Sequence, residues 1–410
     1  MIILTPQPAG NTTFSLTDTN LNNMTLQEHL SNKTSPKRIL ALDGGGIRGA
    51  LTLGYLQRIE DILRIQHGSD KNFRLCDYFD LIGGTSTGSI IAACLAIGMK
   101  VQDIKNMYMD LGDKIFGKKY KWWKIFEIDD LIKAAYKSKP LEDELIKIFG
   151  DITLESDKIK TGLCIVTKRA DTNSIWPLIN HPGGKYFNSA DGMNKDILLW
   201  KAVRASAAAP TYFLPQIIDV GGGLHESAFI DGGVSMANNP ALQLLMVATL
   251  QGFPFKWKYG ADKLLIVSVG TGMSKWRKIP ADVKKNNLLK WAQQLPDMFM
   301  QDASWHNQLI MQWLSNSPTA WEIDGEIGKL ENDCILGVKT GGGMTSYLRY
   351  NLWIDNDTLK PLMKKEYTQS QIDGLTEMSN ADSRFELYDI GIKAAMNDVK
   401  KEHFPDNFKI

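Results

Sequence analysis

Cysteine, net charge and long apolar runs are all scarce in this sequence. Only four cysteines occur among 410 residues, and no two of them form a CxxC pair. Zinc knuckles need closely spaced thiolates and disulfide frameworks need many cysteines, so neither kind of structure is indicated. Basic residues outnumber acidic ones by 47 to 46. Such a balance provides no strong field for a nucleic-acid polymer or an acidic partner.

The sequence also lacks a segment of the length that a membrane helix requires. Its longest apolar candidate runs from Ile90 to Met99, whereas a spanning helix needs about 20 apolar residues. The first basic residue is Lys33, and the apolar start at Met1–Leu4 is stopped by Pro6. Because a signal peptide needs an early positive charge and a longer apolar run, we expect a cytoplasmic protein.

The pattern of apolar residues divides the chain into three parts. Residues 1–36 are rich in Asn and Thr and predict a loose N-terminal arm. Residues 37–275 alternate strand-like and helix-like segments, which predicts an α/β domain with a largely parallel sheet and helices on both faces. The predicted strands are 39–42, 79–82, 163–167, 228–230 and 264–269, and the predicted helices are 51–65, 89–96 and 240–251.

Residues 276–410 predict a mainly helical cap or regulatory extension, with strand character near 334–338 and 349–354. Four tryptophans in this part stand at helical spacing with several methionines: Trp291, Trp305, Trp313 and Trp321. Stripes of this composition usually pack into a core, and we expect the same here.

A lone serine occupies a glycine-flanked turn, Gly84-Thr85-Ser86-Thr87-Gly88, between a predicted strand and a predicted helix. The glycines allow a sharp turn, so that the hydroxyl projects at the carboxyl edge of the sheet. The helix that follows places partial positive charge near a developing anion. The pattern predicts a nucleophile at Ser86, and the simpler alternative is a structural serine in a tight turn.

A serine hydroxyl needs a base, and the sequence offers a carboxylate more readily than a histidine. None of the six histidines stands in a strand-end turn with an obvious orienting carboxylate. Asp231, in contrast, ends a predicted strand and precedes two glycines. Since active-site groups of a parallel sheet gather at the carboxyl ends of its strands, we expect Asp231 to meet Ser86. An ordinary Asp-Gly turn is the simpler interpretation.

A third glycine-rich stretch, Asp43–Gly49, follows the first predicted strand and reads DGGGIRG. Its spacing also matches the GxGxxG pattern of dinucleotide sites. Such a site expects an acidic residue at the end of the next strand, whereas Glu60 and Asp61 fall inside a predicted helix. Consecutive glycines instead favour several N–H groups that converge on one oxygen, as in an oxyanion hole.

Together these motifs resemble the patatin-like phospholipase family. The resemblance is carried by Asp43–Gly49, Gly84–Gly88, Ala205–Pro210 and Asp231–Gly233, and it extends over roughly residues 37–272. It implies a three-layer α/β/α fold and a lipid acyl hydrolase that cleaves fatty-acyl esters of membrane glycerophospholipids.

The resemblance also implies a role for individual residues. Ser86 and Asp231 correspond to a nucleophile and base that act as a dyad. The backbone of the glycine-rich stretch corresponds to the oxyanion hole, with donors from Gly44, Gly45, Gly46 and Ile47. Dyad enzymes of this kind need neither a metal nor a cofactor.

An enzyme that acts on bilayer lipid needs an interfacial surface, and we expect this protein to be peripheral to the inner membrane when it is active. The segment Lys118–Phe126 contains four lysines and four aromatic residues and is predicted to make this contact, with a solvated helix edge as the alternative. Some bacterial members of the family are antiviral effectors that cyclic nucleotides activate, and this chain is compatible with such an activator. It is equally compatible with a homo-oligomer.

Two other classes of function stay open on the residues alone. A catalytically silent nucleotide-binding sensor or scaffold would keep the fold and lose the chemistry. A dehydrogenase would instead use the glycine-rich stretch to bind NAD.

Overall fold

A mainly parallel β-sheet forms the centre of the protein. The computed structural model describes residues 24–116, 130–210, 212–221, 226–275, 280–330, 333–335 and 342–410. Within these residues the sheet has eight strands: β1 (Lys37–Leu42), β2 (Leu81–Thr85), β3 (Gly162–Arg169), β4 (Ser174–Ile179), β5 (Gln216–Asp219), β6 (Glu226–Asp231), β7 (Leu264–Val269) and β8 (Ser346–Tyr350). Their order is β5-β6-β3-β2-β1-β7-β8, and β4 also pairs with β3.

The five strands from β3 to β8 in this order run parallel, whereas β4, β5 and β6 join the sheet in antiparallel pairs. Side chains of β1 alternate between two apolar cores. Leu40 and Leu42 belong to one core, and Ile39 and Ala41 belong to the other. Both faces of the sheet are therefore covered, and the predicted α/β class with a largely parallel sheet is confirmed.

Helices supply the two outer layers. The described residues include α1 (Leu26–Leu30), α2 (Gly49–Gln66), α3 (Leu75–Tyr78), α4 (Thr87–Ala96), α5 (Val101–Phe116), α6 (Asp130–Phe149), α7 (Leu199–Ser206), α8 (Ala241–Thr249), α9 (Pro280–Val283), α10 (Leu288–Leu314), α11 (Asn356–Met363), α12 (Gln369–Thr376) and α13 (Arg384–Asp398). One core includes α2, α4, α5 and α13, and the other includes α1, α8 and α10. In this part of the chain, no helix combines the length and the apolarity that crossing a membrane requires.

The glycine turns found in the sequence mark where the central elements begin and end. A short 3-10 turn at Gly46–Arg48 leads into α2, and α4 starts directly after Ser86. After α4, Gly98 has a φ of 87°, the left-handed conformation that commonly ends a helix at glycine. The predicted strand 39–42 and the predicted helix 51–65 lie within β1 and α2, and the predicted strand 79–82 overlaps β2 only at residues 81–82.

Residues 24–36 are better packed than the loose arm that the composition predicts for residues 1–36. Residues 1–23 lie outside the described residues. Residues 24–36 include α1, where His29 and Leu30 are buried. The ammonium of Lys37 donates to the carbonyl oxygens of Glu28 and His29 at 2.8 and 2.9 Å. These contacts hold α1 against the start of β1.

The C-terminal segment contributes a strand to the central sheet as well as helices. β8 pairs in parallel with β7, so Ser346–Tyr350 takes the place of the strand predicted near 349–354. In the region predicted as strand near 334–338, Cys334 and Ile335 are not in a strand, and residues 336–340 lie outside the described residues. The division of the chain at residue 275 stays a prediction.

Two glycines allow α13 to pack directly on α2, the helix that follows the glycine-rich stretch. A Cβ atom at Gly54 would lie 2.5 Å from the backbone nitrogen of Ile392, and one at Gly391 would lie 2.3 Å from the carbonyl oxygen of Leu51. Neither backbone atom can move aside alone, so this crossing requires both glycines.

We expect Gly391→Ala to lower the free energy of unfolding by about 1–3 kcal/mol, because the new methyl group overlaps with backbone of α2. Gly374→Ala in α12 is the matched control, since a Cβ there would meet only the side-chain amide of Asn380, at 3.2 Å. Urea unfolding measures both variants. Equal stabilities for the two would contradict the close helix crossing.

Candidate active site

Ser86 stands at a strained corner between β2 and α4. Its backbone has φ 54° and ψ −124°, which side-chain-bearing residues rarely adopt and which costs on the order of 1–3 kcal/mol. The flanking glycines are required by close backbone approach. A Cβ at Gly84 would lie 2.2 Å from the carbonyl oxygen of Gly88, and one at Gly88 would lie 2.3 Å from that of Leu42. The corner thus has the geometry of a nucleophile elbow.

Asp231 lies next to this serine. The hydroxyl of Ser86 donates to Oδ2 of Asp231 at 2.6 Å, although 145 residues separate the two in sequence. The other carboxylate oxygen, Oδ1, accepts from the N–H of Gly233 at 2.7 Å. Asp231 is buried, and each of its two carboxylate oxygens accepts one short hydrogen bond.

The two residues meet for a reason that differs from the predicted one. The sequence predicts that Asp231 ends a parallel strand, but β6 is antiparallel to β3. β2 pairs with residues 162–166 of β3 and β6 with residues 167–169, while β4 pairs with 164–169. Because β4 overlaps both partners, it occupies the opposite edge, and β2 and β6 share one edge of β3.

Along that shared edge, β2 and β6 approach each other end to end. Thr85 pairs with Val166, and Asp231 pairs with the next residue of β3, Thr167. The carboxyl ends of the two strands therefore face one another. A Cβ at Gly232 would lie 2.4 Å from the carbonyl oxygen of Val166, so glycine is needed where the chain leaves β6.

The environment of Asp231 makes its carboxylate a stronger base than a solvated one. Burial raises the pKa of Asp231 to about 6, although the hydrogen bonds from Ser86 and Gly233 act in the opposite direction. Desolvation disfavours the ionised form, and the raised pKa brings proton affinity closer to neutral pH. The arrangement can accept a proton from Ser86.

The glycine-rich stretch lies against Ser86, but it offers fewer free donors than expected. A Cβ at Gly44 would lie 3.2 Å from Cβ of Ser86. The N–H of Gly44 donates to the carbonyl oxygen of Asn238 at 3.0 Å, and that of Ile47 donates to the carbonyl oxygen of Met378 at 2.8 Å. These bonds satisfy both groups, which corrects the prediction that all four N–H groups are available.

Gly45 and Gly46 remain as candidate oxyanion donors, because their N–H groups have no hydrogen-bond partner among the described residues. The phenol of Tyr108 donates to the carbonyl oxygen of Gly46 at 2.5 Å, and Thr271 donates to that of Gly44 at 3.1 Å. These contacts fix the carbonyl groups of the turn. Because a peptide plane joins each carbonyl group to the next N–H, the bond from Thr271 also fixes the N–H of Gly45. The N–H of Arg48 donates to the carbonyl oxygen of Gly45 at 3.2 Å, which fixes the N–H of Gly46 in the same way and preorganises both groups.

Two residues that sequence reasoning did not single out hold this arrangement in place. The N–H of Ser86 donates to Oγ of Ser206 at 2.9 Å, and that hydroxyl donates to the carbonyl oxygen of Val166 at 2.6 Å. Ser206 belongs to the Ala205–Pro210 stretch that carries part of the family resemblance. Its position in that stretch was the available signal, but nothing in the local pattern indicated a partner.

Arg349 is the second such residue. Its guanidinium binds Asp43 through two hydrogen bonds of 2.9 and 2.6 Å, and both side chains are buried. Burial opposes the charge, but the Asp43 carboxylate outweighs it and raises the pKa of Arg349. Asp43 is the first residue of the glycine-rich stretch, so this ion pair anchors the stretch to β8. Removing one partner of such a pair typically costs about 3–5 kcal/mol.

None of the described histidines forms a hydrogen bond with Ser86 or Asp231. His29 bonds to Asp80 at 3.2 Å, next to the amino end of β2, and His403 bonds to the hydroxyl of Tyr350 at 2.8 Å. His225 and the predicted membrane segment Lys118–Phe126 lie outside the described residues. Among those described, no group of three or more His, Cys, Asp or Glu side chains could hold a metal ion.

Comparison with known proteins places this chain among phospholipase relatives. A cGAMP-activated phospholipase of Vibrio cholerae is 35% identical over 219 residues, which cover 52% of this chain and 57% of that protein. A cGAMP-activated phospholipase of Escherichia coli is 33% identical over 211 residues, with coverage of 50% and 53%. A cUMP-AMP-activated phospholipase of Escherichia coli is 31% identical over 241 residues, with coverage of 58% and 65%.

The chain thus matches little more than half the length of the first two relatives. The family described as patatin-like phospholipase matches residues 40–245, half of this chain. The matched range includes the glycine-rich stretch, Ser86 and Asp231. The chain belongs to the patatin-like phospholipase family.

Proposed function

We propose that this protein is a lipid acyl hydrolase in which Ser86 and Asp231 act as a catalytic dyad. The observation that carries the proposal is the 2.6 Å hydrogen bond from the Ser86 hydroxyl to the Asp231 carboxylate. The elbow geometry at Ser86 and the raised pKa of Asp231 support it further.

In the proposed reaction, Asp231 accepts the hydroxyl proton while Oγ of Ser86 attacks the ester carbonyl carbon. The N–H groups of Gly45 and Gly46 stabilise the oxyanion that forms, and loss of one such donor typically costs about 10²–10³ in rate. The intermediate then expels the alcohol, which takes the proton from Asp231. Water activated by the same carboxylate attacks the acyl-serine, releases the fatty acid and restores the hydroxyl.

We further propose that the substrates are membrane glycerophospholipids, reached from the cytoplasm by peripheral contact. The family description and the names of the three relatives support this substrate class. A cyclic nucleotide is proposed as activator on the same relatives, since each is named for activation by cGAMP or cUMP-AMP. Oligomerisation stays a prediction.

We expect Ser86→Ala to reduce fatty-acid release from phosphatidylglycerol vesicles by at least about 10³-fold, because the attacking oxygen is lost. Ser227→Ala is the matched control. This serine is also buried and lies on β6 with Asp231, but its hydroxyl has no hydrogen-bond partner in the described structure. A fluorophosphonate probe labels Ser86 in the wild type if the dyad is competent. Unlabelled wild-type protein that still binds nucleotide would favour the silent sensor instead.

We expect kcat/KM to fall about tenfold per pH unit below roughly pH 5 and to level off above roughly pH 7. The reason is that the base must be ionised, and burial raises the pKa of Asp231 to about 6. A pH–rate profile on a soluble short-chain ester measures this limb. A rate that stays constant down to the ordinary pKa of aspartate, about 4, would contradict the role of a buried base.

The burial of Asp231 also predicts how the stability of the Asp231→Asn variant compares with that of the wild type at different pH values. The folded pKa lies above the unfolded value of about 3.9, so ionising Asp231 costs stability as pH rises from about 4 through 6. Asparagine carries no such cost. The inactive variant is therefore expected to exceed the wild type in free energy of unfolding at about pH 8, by up to about 3 kcal/mol, and to match it near pH 4.

We expect cGAMP or cUMP-AMP to increase vesicle hydrolysis by the wild type at least about tenfold, which corresponds to about 1.4 kcal/mol of coupling. Linear dinucleotides of the same bases are the control. The measurement is fatty-acid release with each nucleotide in turn, beside the melting temperature of Ser86→Ala. Equal rates and melting temperatures with and without both nucleotides would contradict activation by either of them.

A further inference from the structure

An exposed apolar stripe lies on α10. Trp291, Leu295 and Phe299 are 37%, 42% and 67% exposed and follow one another at intervals of four residues. That spacing keeps the three side chains on one helix face, over about 12 Å of its length. The sequence predicts core packing for the tryptophans of this region, and the exposure of Trp291 and of Trp313, at 44%, corrects that expectation. We call Trp291, Leu295 and Phe299 the α10 stripe.

A different face of α10 lines a cavity beside the candidate active site. Met300, Gln301 and Ser304 border a space of about 310 Å³ that Asp43 and Met378 also line. Asp43 begins the glycine-rich stretch, and the carbonyl oxygen of Met378 accepts from Ile47. One face of α10 therefore carries the stripe, and another face is directed toward the elements that hold the proposed oxyanion donors.

The same helix is fastened to the loop that follows Asp231. The side-chain amide of Asn307 donates to the carbonyl oxygens of Met236 and Asn239. Within that loop, Val234 and Met236 are themselves exposed, by 38% and 52%. Exposed apolar side chains thus occur both on α10 and beside the proposed base, on elements that are hydrogen-bonded to each other.

The charged residues near the α10 stripe indicate which kind of surface the stripe would contact. Lys284 and Lys285 are exposed in the turn that precedes α10, and Lys290 is exposed in its first turn, on a different face from the stripe. Asp302 and His306, also exposed, follow Phe299 on the same face and end the apolar part. A helix with Trp, Leu and Phe on one face and a cluster of lysines at its amino end is suited to the interface of an anionic bilayer, where the lysines meet the anionic head groups.

We propose that the α10 stripe docks on the surface of an anionic phospholipid bilayer. The proposal rests on the proposed function, because a bilayer substrate requires a surface that brings the site to lipid. It assigns that contact to α10, in addition to the predicted segment Lys118–Phe126. Docking would insert the three side chains among the head groups while the opposite face of the helix still lines the cavity.

The test uses the full chain and flotation with vesicles of equimolar phosphatidylethanolamine and phosphatidylglycerol. The double variant Leu295→Glu with Phe299→Glu replaces two members of the stripe by anions, and we expect vesicle binding to fall at least about tenfold. Phe385→Glu is the matched control, since Phe385 is an aromatic residue 53% exposed on α13, across the sheet from α10. We expect this control to bind like the wild type.

Hydrolysis of a monomeric short-chain ester separates this proposal from the proposed function. We expect the double variant to retain that activity while it loses vesicle hydrolysis. A wild type that is inactive on the soluble ester with cGAMP and with cUMP-AMP present would refute the dyad but leave the flotation result valid. Equal vesicle binding by double variant and wild type would overturn the docking proposal. Two other results would also overturn it. One is wild-type protein that does not float with the vesicles, either with or without cGAMP. The other is a double variant that differs from the wild type only in forming a smaller assembly in size-exclusion chromatography.

Discussion

One edge of β3 determines the geometry of the candidate active site. β2 and β6 meet end to end on that edge, where Val166 pairs with Thr85 and Thr167 pairs with Asp231. Two neighbouring backbone positions of a single buried strand therefore set the distance between Ser86 and Asp231. Since strands deform less readily than loops, this placement preorganises the hydrogen bond that the proposed reaction uses.

The site contains two groups that would be unfavourable outside this packing. Ser86 has a left-handed backbone, and Asp231 is a carboxylate whose pKa burial raises to about 6. The structure offsets the first through the hydrogen bond from Ser86 to Ser206 and the second through the N–H of Gly233. Strain and desolvation of this kind concentrate where a protein gives up stability for reactivity.

The C-terminal third completes the site although the motifs lie elsewhere. β8 supplies Arg349, which neutralises Asp43 at the head of the glycine-rich stretch. The segment after α12 supplies the carbonyl oxygen of Met378, which occupies the N–H of Ile47. α10 supplies one wall of the adjacent cavity. A residue far from the motifs in sequence thus removes Ile47 from the candidate oxyanion donors.

Local sequence patterns were sufficient to predict the strands, helices and turns whose structure depends on neighbouring residues. Apolar runs and glycine turns predicted β1, β2, α2 and α4, because buried strands and helix ends leave their signal within a few residues. The same turns pointed to Ser86, Asp231 and the glycine-rich stretch, since a corner with close backbone approach needs glycine beside the functional residue.

Tertiary structure alone decided what depends on pairing between distant segments. The antiparallel direction of β6, the hydrogen bonds that occupy Gly44 and Ile47, and the ion pair of Arg349 all involve partners that no local pattern specifies. The exposure of Trp291 is of the same kind, because an apolar stripe looks alike in sequence whether it faces a core or solvent. The sequence therefore determined which residues carry the functional groups of the candidate site. The packing of the sheet and helices determined which of their atoms lie within hydrogen-bonding distance of one another.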